Sequence, residues 1–267
     1  MSRFVVALAT VLLVPVTLAL AILLFVPTTV CAQPVDTDGA VSDIRFLASD
    51  ELQGRQAGEQ SAEIAARYIA EQFRAAGVQP VPGAEDGYFQ TVPLRDSSLT
   101  SRNVVGWIPG SDPELADEVV MLLAHYDHVG MGGRRATEAD SIFNGARDNG
   151  MGTVAVIAAA RALAADPPRR SVLLFTPTAE EQGLIGSRYF AENPLVPLRD
   201  IVFALNVDTG GYSDTTIVTV VGLNRTTAQS LIEAGAAAAG LEAVLDPSPE
   251  QNLFDRSDNV AFARKGI

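Results

Sequence analysis

The sequence predicts an α/β fold: a mixed, mostly parallel sheet with helices on both faces. Three observations predict it. Continuous apolar runs of strand length recur at Glu118–Ala124 (EVVMLLA), Ser171–Thr176 (SVLLFT) and Ile201–Val207 (IVFALNV), and runs without polar alternation belong to strands buried on both faces. Segments with helical spacing lie between these runs, the alternation that builds a parallel or mixed sheet. The chain also has 267 residues, 48% hydrophobic and 19% charged, enough for one large α/β domain or two small ones.

The elements follow in order. Arg3 is the only charge before Asp36, and Phe4 to Val26 is almost wholly apolar, interrupted by Pro15. Val30-Cys31-Ala32 places small residues at the −3 and −1 positions of a signal-peptidase site, with cleavage before Gln33. Residues 1–32 are therefore a signal peptide or a membrane anchor through residues 4–26, since the run is long enough to span a bilayer. Lipidation of Cys31 is the weaker reading, because Val30 is not the small residue usual before a lipidated cysteine. Either way residues 33–267 are exported.

Ser42 to Leu52 reads as a short helix. Gly58 to Gly77 reads as a longer one, with Ala62, Ala65, Tyr68, Ile69 and Phe73 near helical spacing and Gly77 as its stop. Pro80 to Gly87 is turn-rich. Asn103 to Ile108 is a strand, followed by EVVMLLA. The Ala-rich stretch Gly150 to Ala165 is helical and ends at Asp166-Pro167-Pro168. SVLLFT precedes a helix over Leu184 to Glu192, and IVFALNV follows. Thr216 to Val221 is expected as a fourth buried strand, and Thr226 to Ala239 as a helix ended by Gly240.

The formal net charge of −13 argues against nucleic-acid binding, which needs a basic footprint. An acidic surface favours solubility and cationic ligands such as metal ions or peptide amines. Cys31 is the only cysteine, so cleavage after Ala32 leaves no disulfide. A metal would be held by His, Asp and Glu, and with two histidines in the chain carboxylates supply most ligands. Such oxygen-rich sites suit Zn, Mn or Co and exclude thiolate chemistry.

The strand ends carry the chemistry. EVVMLLA runs into His125-Tyr126-Asp127-His128, SVLLFT into Thr178-Ala179-Glu180-Glu181, and IVFALNV into Asp208. Ligand crevices of open α/β sheets lie outside the carboxyl ends of their strands. A Gly-rich loop, Gly145 to Gly150, can deliver Asp148 to the same place. Buried carboxylates crowded around one site are costly unless a cation neutralises them. His128 has two readings, a loop residue bonded to backbone, which is favoured, and a contact near the metal or substrate.

The segments AHYDHVG (124–130), NGARDNGMGT (144–153), TAEEQGLIGS (178–187) and LNVD (205–208), with LASDELQGR (47–55) and AAGV (75–78) before them, resemble the M28 family of co-catalytic zinc peptidases. The resemblance covers about residues 40–267 and implies a zinc exopeptidase-like three-layer sandwich. It implies that His125 and Asp208 bind a first zinc, Glu181 a second, and Asp148 both. Asp127 would hydrogen-bond the other imidazole nitrogen of His125, and Glu180 would be the general base. The implied activity is removal of N-terminal residues from peptides by a two-zinc-activated water.

The family normally adds a histidine to the second zinc from a C-terminal loop, and no histidine follows residue 128. The expectation is that residues 33–267 form a C-terminally incomplete peptidase domain, with a last strand and helix missing. Arg147 and Asn259 stand where relatives often carry Asp and His. Three other readings stay open. A carboxypeptidase would use Arg134, Arg135 or Arg147 on the substrate carboxylate. A single-zinc, glutaminyl-cyclase-like enzyme would cyclise N-terminal glutamine. A metal-free homologue would only bind. Serine-hydrolase chemistry is disfavoured, since no G-x-S-x-G elbow occurs.

Overall fold

The computed structural model describes residues 35–96, 98–132, 136–137, 140–210 and 214–267. The leader at residues 1–32 lies outside them, as do Arg134 and Arg135. Among the described residues no helix is long and apolar enough to cross a membrane.

Two helices come first, α1 (Thr37–Leu47) and α2 (Gln60–Ala75). The expected helix over residues 42–52 is α1 followed by a 3-10 turn at Asp50–Leu52. The Asp36 side chain caps α1 by accepting from the Gly39 N–H. The buried positions of α2, Ala62, Ala65, Ala66, Ile69, Ala70 and Phe73, repeat at three- and four-residue intervals, one face of a helix. Gly77, at φ +82°, lets the chain leave α2 through the left-handed region.

A five-stranded sheet follows, in the order β1-β2-β4-β3-β5. Its strands are β1 (Phe89–Pro93), β2 (Thr100–Ile108), β3 (Val119–Leu123), β4 (Ser171–Thr176) and β5 (Ile201–Asn206). β1 and β2 pair antiparallel, as do β2 and β4, whereas β3 pairs parallel with both β4 and β5. The sheet is mixed, with the parallel part where the candidate ligands sit.

Alternate residues of the strands feed two separate cores. Val172 and Leu174 of β4 join Val104 of β2 and the buried faces of α1, α2 and α3 (Met151–Ala165). Leu173 and Phe175 join Val105, Met121, Leu123 and the residues Phe190, Ala191, Ala261 and Phe262 on the other side. Those last four belong to α4 (Ile185–Glu192) and to α6 (Asn259–Ala263), which follows α5 (Gln229–Ala238). This is the expected covering by helices on both faces.

The path from β3 through α3 steps one way across the sheet to β4. The path through α4 steps back past β3 to β5. Parallel crossovers share one hand, so opposite steps put their helices on opposite faces. A crevice opens at such a reversal, beyond the carboxyl ends of the strands.

The strand expected at residues 216–221 differs from its reading. Ile217–Val220 forms β6, which pairs in parallel with β7 (Glu242–Leu245) in a separate two-stranded sheet. Its residues are half-buried or exposed.

Candidate metal centre

His125 lies two residues past the end of β3 and is 1% exposed. Its main-chain oxygen accepts from the Thr153 hydroxyl of α3 at 2.9 Å. Its Nε2 faces three carboxylates: Asp148 Oδ1 at 3.4 Å, Asp208 Oδ1 at 3.5 Å and Glu180 Oε2 at 3.9 Å. Burial pulls the imidazole pKa down, but hydrogen bonds that the ring donates to the Asp127, Asp148 and Asp208 carboxylates outweigh it and hold it well above the ordinary value.

Asp127 behaves partly as expected. His125 Nδ1 lies 3.1 Å from the Asp127 main-chain oxygen and 3.7 Å from its Oδ1. The carboxylate is turned toward the next strand, where Oδ1 accepts from the Glu180 N–H at 3.1 Å. Asp127 thus orients both His125 and Glu180, through different atoms.

The Asp148 loop is held from several sides. Its residues 146–150 lead into α3 with Asp148 and Asn149 outside helical backbone angles, and the Asp148–Asn149 peptide is cis. The Asn149 side chain donates to the Val207 carbonyl at 2.8 Å and accepts from the N–H groups of Gly152 and Thr209. It ties Asp148 to the strand end bearing Asp208. A Cβ on Gly152 would sit 2.3 Å from Asn149 Oδ1, so only glycine admits this junction.

Glu180 and Glu181 stand on the turn after β4. Buried Asn103 of β2 braces that turn by accepting from the Thr178 N–H at 3.1 Å and donating to the Gly186 carbonyl at 3.0 Å. Burial pushes the Glu180 carboxyl up to about 8 against the pull of His125, and Asp258, Asp208 and Asp127 add to the rise. Burial also acts on Asp208, but hydrogen bonds from His125, Ser257 and Thr209 hold it below the ordinary carboxylate range.

Five of the six candidate residues, together with His128 and without Asp127, fall into two groups. His125, Glu180 and Asp208 present ligand atoms within 4.8 Å of one another, and so do His128, Asp148 and Glu181. The first group is the more buried. His128 has a contact of each kind weighed for it: its main-chain N–H bonds to the Arg55 carbonyl, and its ring Nδ1 lies 2.7 Å from Glu181 Oε1.

Sequence reasoning missed two neighbours. Arg55 is fully buried, and its guanidinium donates to the carbonyls of Leu47, Tyr126, Asn144 and Gly145. It clamps the His125 loop to the Asp148 loop, and burial lowers its pKa to about 10. Asp258 is buried with neither carboxylate oxygen hydrogen-bonded among the described residues, and one oxygen of Asp127 is in the same state. Arg55 lies within the quoted LASDELQGR stretch, but nothing in its type announces burial. Asp258 precedes α6 as an ordinary cap residue would. Of the arginines considered for a carboxylate, Arg147 donates its Nε to the Gly210 carbonyl at 3.0 Å.

A buried imidazole facing three carboxylates, with an unpartnered oxygen of buried Asp127 on the same loop, fits a cation held by oxygen and nitrogen, the ligand set of zinc. The sequence model of peptidase family M28 matches residues 103–267. The chain belongs to peptidase family M28. A curated relative from Pyrenophora teres f. teres, described as a "Probable zinc metalloprotease", is 32% identical over 130 residues, covering 47% of this chain and 25% of its own length. The aligned stretch thus spans about a quarter of that relative. Among solved structures, a leucine aminopeptidase precursor from Bacteroides thetaiotaomicron superposes with a TM-score of 0.66 at 19% identity, over 88% of this chain and 83% of its own. A glutaminyl cyclase from the same organism, bound to N-acetylhistamine, gives 0.66 at 18%, over 87% and 82%. These likenesses establish the zinc-exopeptidase fold of this M28 chain.

Proposed function

We propose that this M28 chain is an exported metallo-exopeptidase that removes N-terminal residues from peptides using two zinc ions. The observation that carries the reading is the pair of three-residue ligand groups, one imidazole in each, with Glu180 beside the more buried ring. His125 and Asp208 would hold one ion, Glu181 the other, and Asp148 both. Zinc, when bound, polarises a scissile carbonyl and lowers the pKa of a water molecule.

The protein's own part is positioning and proton transfer. Glu180 takes the proton as the water oxygen attacks the carbonyl carbon, then delivers it to the amine nitrogen as the C–N bond breaks. Raised to about 8 by burial, its carboxyl keeps a proton at neutral pH until positive charge is placed beside it. Asp127 fixes the Glu180 main chain and the His125 ring together. The acidic crevice suits a free α-amine. Export rests on the apolar stretch at residues 4–26 and the cleavage pattern before Gln33.

The test compares the metal content and peptide turnover of the full chain with those of Glu180→Gln. We expect two zinc ions in each, and hydrolysis of N-terminal residues by the parent alone. Loss of zinc from the variant would remove Glu180 from the base role. One zinc with cyclisation of N-terminal glutamine would replace the peptidase reading with a glutaminyl-cyclase-like one. No bound zinc and no turnover would leave a metal-free binding homologue.

A further inference from the structure

We propose that His128 is a direct ligand of the second metal, completing a three-residue site with Asp148 and Glu181. This rests on the two-zinc reading and deepens it. His125 and His128 are the only two histidines in the chain. They lie three residues apart on one loop, yet each ring serves a different group.

The ring of His128 is placed, not loose. Its main-chain N–H bonds to the Arg55 carbonyl at 3.2 Å, and two residues on the Gly130 N–H bonds to the Gly54 carbonyl at 3.1 Å. These bonds aim the ring across the crevice at Glu181, whose Oε1 is 2.7 Å from Nδ1. Room for the ring comes from Gly145: a Cβ there would lie 2.7 Å from His128 Cγ. Gly145 also sits at φ +60°, so the position favours glycine twice over.

Donor chemistry supports ligation. A site of carboxylates alone suits hard ions, and an imidazole shifts it toward zinc. Three protein ligands with an open position is the usual form of a catalytic zinc site. Asp148 reaches both groups, being 3.4 Å from His125 Nε2 and a member of the second set. The M28 pattern takes the second zinc's imidazole from a C-terminal loop. His128 would add an imidazole to the group of Asp148 and Glu181 that would hold the same ion.

The experiment loads the metal-free full chain with Co²⁺ and follows stoichiometry by calorimetry and coordination by absorption. The parent, His128→Ala and His128→Cys are compared, with circular dichroism confirming that each variant folds. We expect two ions in the parent. In His128→Ala the second should weaken by more than about 100-fold, beyond the roughly 10–100-fold cost of losing an outer hydrogen-bond partner. In His128→Cys the second ion should bring a thiolate-to-cobalt charge-transfer band that the parent, with Cys31, lacks. Two ions in His128→Ala at unchanged affinity, or two ions in His128→Cys without the band, would overturn the assignment. Fewer than two in the parent would overturn the two-metal reading and His128's role with it.

Discussion

The substitution Asp258→Asn should make the metal-free protein more stable, and increasingly so as pH rises. Asp258 is fully buried, and burial pushes its carboxyl up to about 7 from an ordinary 3.8; His125 and the Ser187 hydroxyl oppose the rise, while Asp127 and Asp208 add to it. Below about pH 4 both folded and unfolded chains hold the proton, so nothing is lost. Between about pH 4 and 7 the unfolded chain releases it and the folded chain does not. The folded state then binds more protons, and stability falls as pH rises. Above about pH 7 the whole cost is present. A shift of roughly three units corresponds to on the order of 4 kcal/mol. The amide of the variant would be neutral throughout, and any packing cost it brings is independent of pH. Urea denaturation of the two metal-free proteins at pH 4, 6 and 8 measures the difference. An advantage for the variant that grows across this range, and shrinks once zinc is added, is the expected result. Parallel stability curves would refute the claim that a buried, uncompensated carboxyl sits there.

Two further outcomes follow from the same centre. Arg55→Lys should destabilise the fold by about 3 kcal/mol or more in the same urea assay. One ammonium cannot span four carbonyls, and each buried acceptor left bare costs about 1–3 kcal/mol; a change under about 1 kcal/mol would mean water takes over. Asp148→Ala should remove both metals by elemental analysis, and retention of two would end the bridging role.

Much of this was legible in the sequence because burial writes itself plainly into central strands. SVLLFT is buried at every position, and both parallel neighbours of β3 were visible as apolar runs. β1 was not, since Phe89–Pro93 is a short edge strand ending in proline, where one face and one side need no partner. The strand at 216–221 had the right composition but only β7 beside it, and composition cannot say which sheet a strand joins. The candidate ligands could be named from three strand ends and, for Asp148, a Gly-rich loop before a helix. The place of His128 in the second group could not: the two rings are set apart by contacts of His125 with Thr153 and Asp127 and of His128 with Arg55 and Gly145, which are distant in sequence or invisible to periodicity. Asp258 and Arg55 were hidden for a related reason, because charged residues are read as surface until a structure encloses them.

Similarity and physical unit do not share a border in this protein. The family match begins at residue 103, yet the guanidinium that fastens the two ligand-bearing loops comes from residue 55. α1 and α2, which also precede the match, supply much of one core. A chain trimmed to residues 103–267 would keep all six candidate site residues and lose the plug that holds their loops in register. Anyone grafting, shuffling or truncating this enzyme family by its recognisable segment would be cutting inside the working part.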